Sequence, residues 1–133
     1  MKKKSGYLAV ILDQESRQKL VAIAVHKTES DVEKFSHHLT ICFKPDAKTW
    51  NKFSDMLGKT VELVVVGIAC DDKAQAVYIP ATKSEKKFPH ITVSCADGVK
   101  PVYSNSLLEA CDASGTIEPL EMLLKGTVLF VEL

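Results

Sequence analysis

The sequence predicts an α+β fold built on a largely antiparallel sheet. Three observations lead there. Short apolar runs rich in β-branched residues recur along the chain, two stretches carry a helical period, and "DDK" (residues 71–73) separates two strand-like runs as a hairpin turn would. The resulting order is strand–helix–strand–helix–strand–strand–strand–helix–strand, with its pairing largely antiparallel. At 133 residues the chain suits one domain, residues 1–133, with a real core. No linker, low-complexity segment or exact repeat divides it.

The elements follow in order. "GYLAVILD" is short, apolar and closed by an acid, so it reads as a buried strand. Asp13 then caps a helix through "QESRQKLVAIAVHK", with Leu20, Ile23 and Ala24 toward the core. Residues 28–36 are polar and aperiodic and read as a loop or short helix. "HLTICF" is a strand. Asp46 caps a second helix over residues 47–57, whose apolar stripe is Trp50, Phe53 and Leu57 and whose stop is Gly58. Residues 60–70, valine-rich and the longest apolar run, read as a central strand paired through the "DDK" turn with "AQAVYIPA". The lysine-rich loop "TKSEKKF" leads into the strand "HITVSC". A short helix is expected around residues 106–111, and "EMLLKGTVLFVEL" closes the chain as one long strand.

Composition narrows the function classes. Seventeen Lys and Arg balance seventeen Asp and Glu. A large non-specific nucleic-acid surface would carry a basic excess, so the balance argues against one while leaving room for an RNA end or a small nucleotide. Arg17 is the sole arginine, so no arginine cluster forks a phosphate. The four cysteines, Cys42, Cys70, Cys95 and Cys111, fit no C-x-x-C zinc or redox spacing and are expected to be reduced thiols in a cytoplasmic protein. The "MKKK" start resembles the basic tip of a signal peptide. Its apolar part stops at Asp13, however, and no small-residue cleavage site follows, so a first strand is the expectation. No segment approaches the roughly 20 apolar residues of a membrane span.

The chemistry is concentrated in two short stretches. "HLT" at residues 38–40 and "HIT" at residues 90–92 each set a histidine two positions before a threonine, and together they use half of the four histidines. On a strand, residues i and i+2 share a face. His38 and Thr40 therefore project together, as do His90 and Thr92, while Leu39, Ile41, Ile91 and Val93 point into a core. Strands lying side by side, or related by a local two-fold, would bring the four polar groups to one cleft. Displacement at phosphorus needs a base on the entering oxygen and an acid on the leaving one. Two imidazoles with ordinary pKa values near 6.5 can divide those roles, and two threonine hydroxyls can hold the non-bridging oxygens. No metal or other cofactor is required. A metal site is the competing reading, because Cys42 would share the face of His38 and Thr40. It lacks an acidic partner on either strand. His37, expected on the opposite face of its strand, and His26, at the end of a helical run, are read as structural.

These residues give the chain a resemblance to the 2H phosphoesterases, which are named for two His-x-Thr/Ser motifs on pseudo-symmetric lobes. It is most similar to the cyclic phosphodiesterase domain of plant- and fungal-type tRNA ligases. The likeness is strongest through "FPHITVSCADGVKPVYSNSLLE" and "IEPLEMLLKGTVLFVEL", with "HLTICFK" as the first motif. The resemblance implies a two-lobed, pseudo-symmetric fold with a central cleft between largely antiparallel sheets and flanking helices. It also implies His38 and His90 as the acid/base pair and Thr40 and Thr92 as phosphate ligands. The implied activity is metal-independent hydrolysis of RNA 2′,3′-cyclic phosphate ends to a phosphomonoester, the 2′-phosphate in the tRNA-ligase type. Compact members also degrade 2′-5′ oligoadenylates or cyclic oligonucleotide signals in viral anti-defence, which is the alternative. A non-catalytic nucleotide-binding module is a third class, and it would be expected to have lost a histidine.

Around this core, Lys83, Lys86 and Lys87 lie next to the second motif, where they could draw in phosphate. Phe88 or Phe35 could stack a base, and Tyr7 begins the first strand near the cleft. The expected partner is the RNA end or small nucleotide substrate itself. The protein is expected to act as a monomer, with no obligate protein partner and no membrane attachment.

Overall fold

A computed structural model describes residues 3–26 and 35–133. The elements are β1 (Gly6–Leu12), α1 (Gln14–Ile23), β2 (His38–Phe43), α2 (Ala47–Phe53), a 3₁₀ turn (Ser54–Met56), β3 (Thr60–Cys70), β4 (Ala74–Tyr78), β5 (His90–Cys95), α3 (Tyr103–Ser114) and β6 (Glu118–Glu132). The fold is α+β, and every strand pairing is antiparallel. The strands form one six-stranded sheet in the order β2-β1-β6-β3-β4-β5. The long β6 produces that single sheet, because its C-terminal part pairs with β1 and the rest with β3. Gly126 sits where both neighbours approach. A Cβ there would meet the Ile11 carbonyl oxygen at 2.5 Å, so only glycine fits.

Local chemistry explains the element ends. The Asp13 carboxylate accepts from the Ser16 amide at 2.8 Å and the Asp46 carboxylate from the Thr49 amide at 2.8 Å, capping α1 and α2 as expected. Helix α1 stops at Ile23, well short of Lys27. There the Gln75 side chain takes over, accepting from the Val25 amide at 3.0 Å and donating to the Ile23 carbonyl at 2.9 Å. These side-chain bonds give the chain an exit from the helix that local periodicity does not show. Leu57, expected on the α2 stripe, lies beyond the 3₁₀ turn and is 46 % exposed; Trp50 and Phe53 do pack on the core. Gly58 then turns the chain at φ +81°. Helix α3 is longer than the expected short helix and ends at Gly115 in the left-handed region. Most of the loop read at residues 28–36 lies outside the described residues.

The main core gathers Leu8, Val10, Leu39, Ile41, Leu63, Ile91, Val93 and Leu124 from strands on both sides of the sheet. Leu39 and Ile41 are fully buried, and Ile91 and Val93 nearly so, as the alternation predicts. The edge strands β2 and β5 thereby face one another across a sheet that nearly closes. The Ser36 amide and hydroxyl, just ahead of β2, bond the carbonyls of Thr92 at 2.9 Å and Val93 at 2.8 Å on β5. No helix among the described residues is long and apolar enough to cross a membrane.

Candidate active site

The cleft between the two edge strands has a volume of about 310 Å³, and its walls include His38, Thr40, His90 and Thr92. Both His-x-Thr pairs thus reach one cavity. The two strands also share an irregularity. In β2 the register steps from Leu8↔Cys42 to Ala9↔Thr40, leaving Ile41 as the extra residue of a β-bulge. In β5 it steps from Gln75↔Ser94 to Ala76↔Thr92, leaving Val93. Each bulge comes one residue after the threonine and ends the alternation there. This corrects the expected placement of Cys42. Instead of sharing the face of His38 and Thr40, it is fully buried in the main core. Burial pushes its thiol pKa up.

Each histidine has one ring nitrogen occupied by the protein. The Phe88 carbonyl lies 2.7 Å from His90 Nδ1. A carbonyl only accepts, so Nδ1 carries the proton and Nε2 of the neutral ring has the lone pair. Burial lowers the His90 pKa, the Phe88 hydrogen bond opposes that, and Lys86 lowers it further. His38 Nδ1 lies 2.7 Å from Nδ1 of His37. Burial first, then His37 and His90, pull the His38 pKa down to about 4. Tyr7 packs its ring against His38 from β1, with centroids 5.4 Å apart.

His37 is the main correction in the site. It lines the cleft, and its ring stacks on His38 with centroids 4.4 Å apart, although strand alternation would place it on the far side. The reason lies in the backbone. β2 begins at His38, and the residue before His37, Ser36, has φ +62°. Extended alternation has not yet started at His37, so two consecutive side chains can face one way.

The remaining candidates separate. Lys86 lines the cleft; Lys83 and Lys87 do not, and the Lys87 ammonium sits 5.4 Å from the centre of the Phe88 ring. Phe88 is 8 % exposed and packs in a second core cluster against Tyr78, which leaves no open face for a base. Tyr7 supports His38 without being one of the lining residues. Phe35 does line the cleft, and so do Phe43 and Val102, which did not stand out in the sequence, and Asn105, which begins the Asn-Ser-Leu step of the stretch that carries the family resemblance. His26 is structural: its Nε2 donates to the Asp71 carbonyl at 2.9 Å. Ser104, fully buried on α3, holds the Thr92 hydroxyl at 2.8 Å. Only folding brings these two together, so no local signal pointed to Ser104. Among the described residues, no three His, Cys, Asp or Glu side chains are grouped as a metal ion would need.

Residues 48–122, more than half of the chain, match the family described as the fungal tRNA ligase phosphodiesterase domain. The match takes in His90, Thr92 and Ser104, and it begins after His38 and Thr40. No curated protein matches the chain significantly.

Proposed function

The chain belongs to the fungal tRNA ligase phosphodiesterase domain family, and from that premise we propose that it hydrolyses RNA 2′,3′-cyclic phosphate ends, leaving a 2′-phosphate, by two-histidine acid/base catalysis without a metal. The observation that carries the reading is the convergence of His38, Thr40, His90 and Thr92 on one cleft of about 310 Å³. That volume suits a terminal nucleotide better than a duplex. We read β1–β2 and β4–β5 as the cores of two related lobes, because each carries its motif on an edge strand with a bulge just after the threonine.

In the proposed reaction one imidazole Nε2 takes a proton from water as the water oxygen bonds to phosphorus. The P–O3′ bond breaks in line on the opposite side, and the second imidazole gives its Nε2 proton to O3′. Thr40 and Thr92 donate to the non-bridging oxygens. For Thr92 to donate outward, the Ser104 hydroxyl must donate to it, which their 2.8 Å separation allows.

The threonines make this testable. Thr40→Ala and Thr92→Ala each remove a hydrogen bond to a charged group, worth roughly 1.5–3 kcal/mol, so hydrolysis falls about ten- to a hundredfold or somewhat more. Ser104→Ala removes only the support behind Thr92 and costs roughly two- to tenfold. Unchanged kinetics in both threonine variants would mean that the hydroxyls do not hold phosphate.

A substrate panel in excess EDTA tests the function itself: 2′,3′-cyclic-ended RNA, cyclic mononucleotides, 2′-5′ oligoadenylate and cyclic oligonucleotides. Turnover of the cyclic-ended RNA should persist in EDTA and exceed the rest. Loss on chelation with rescue by one divalent ion would refute the metal-free mechanism. Preferential turnover of an oligoadenylate or cyclic oligonucleotide would replace the substrate. Binding with no turnover of any member would leave a nucleotide-binding module.

A further inference from the structure

We propose that His37 is a positioning residue that keeps the proton of His38 on Nδ1 and so reserves Nε2 of His38 for the cleft. The proposal rests on the reading of His38 as an acid/base group. Nδ1 of His37 and Nδ1 of His38 are 2.7 Å apart, so one proton lies between them and one ring must accept. Two arrangements satisfy that distance. If His37 donated, neutral His38 would carry its proton on Nε2 and its lone pair would be covered by His37, with nothing to offer as a base. If His38 donates, Nε2 has the lone pair when the ring is neutral and a proton when it is charged, and Nδ1–H stays directed at His37 throughout.

His90 shows the same design with the ambiguity removed, since its Nδ1 faces a carbonyl that only accepts. In either catalytic role, His38 works only in the second arrangement. The fold holds His37 for this purpose. Ser36 adopts the left-handed region, which is unfavourable for a non-glycine residue. It is held there by its amide bond to the Thr92 carbonyl at 2.9 Å and its hydroxyl bond to the Val93 carbonyl at 2.8 Å. His37 is fixed in turn by its own carbonyl, which accepts from the Leu12 amide at 2.9 Å. The same Ser36 bonds tie His37 to the strand that carries the other histidine.

A second consequence concerns charge. Two imidazolium rings cannot face each other across 2.7 Å, so His37 disfavours the charged form of His38, which burial already disfavours. Among the described residues, the titratable groups that face His38 besides His37 include Tyr7 from β1 and His90 from β5, with Lys86 beside His90.

Long-range proton–nitrogen NMR of the uniformly ¹⁵N-labelled full chain reads the tautomer directly, with or without substrate. Wild-type protein near neutral pH should show His38 protonated at Nδ1 and unprotonated at Nε2. His37→Ala should mix the two tautomers and raise the His38 pKa, with kcat falling about tenfold or more and KM changing little. His37→Asn restores an acceptor oxygen and should recover part of kcat. A wild-type His38 protonated at Nε2 would overturn the proposal, and so would an unaltered His38 tautomer and pH profile in His37→Ala. The expected tautomer in a protein that hydrolyses no phosphodiester would support the histidine pair and defeat the proposed function instead.

Discussion

His38→Ala and His90→Ala should each lose about 10²-fold or more of the hydrolysis rate while remaining folded. The double variant should lose far less than the product of the two, because residues that act as one unit in the transition state are not additive. His38 and His90 both line one cleft with Nδ1 engaged by the protein, which on the proposed reaction leaves each Nε2 for proton transfer. A substrate with an activated leaving group distinguishes the roles, since it rescues the variant lacking the acid and not the one lacking the base. The pH profile carries the same signature. The His38 pKa is lowered to about 4, and that of His90 also lies below the ordinary 6.5. The bell in kcat/KM should therefore centre on the acid side of pH 6.5. Bound phosphate favours the charged rings, so the bell in kcat should move upward. A flat profile across pH 4–8, or full multiplicative loss in the double variant, would contradict a coupled pair.

The protein should also lose stability as pH falls from about 6.5 toward about 4. In the unfolded chain His38 titrates near its ordinary 6.5; in the folded chain it stays neutral down to about 4. Between those values the unfolded state binds more protons, so stability is fully present above pH 6.5 and declines below it. A shift of that size corresponds to something on the order of 3 kcal/mol, and His90, also lowered, acts in the same direction. Urea unfolding at pH 7 and pH 4.5 measures the difference, and His38→Gln should flatten much of it. Equal midpoints at the two pH values would mean that the ring is not held neutral by burial.

Much of this site could be read from the sequence because its parts are local and periodic. The face shared by His38 and Thr40, the inward Leu39 and Ile41, and the mirrored pattern at residues 90–93 follow from the two-residue period of a strand. The Asp13 and Asp46 caps and the 71–73 turn follow from short-range hydrogen bonding. What escaped was non-local or non-periodic. Ser36 in the left-handed region carries no signal, because glycine or asparagine would be the usual marker there, and it moves His37 to the cleft face. The bulges at Ile41 and Val93 carry none either, and the one at Ile41 buries Cys42 where simple alternation would have exposed it. Ser104 depends on α3 packing against β4 and β3, which brings its hydroxyl to Thr92, and Phe43 on the nearly closed sheet.

In the proposed reaction the two motifs together open a cyclic phosphate by adding water. The most direct measurement is ³¹P NMR of RNA bearing a 2′,3′-cyclic phosphate end, incubated with the protein in EDTA and in ¹⁸O-enriched water. The cyclic resonance should give way to a single 2′-monophosphate carrying one ¹⁸O, with conversion by the His38→Ala, His90→Ala double variant slowed by about 10²-fold or more. A cyclic resonance that persists with wild-type protein, or conversion at equal rate by the double variant, would contradict it.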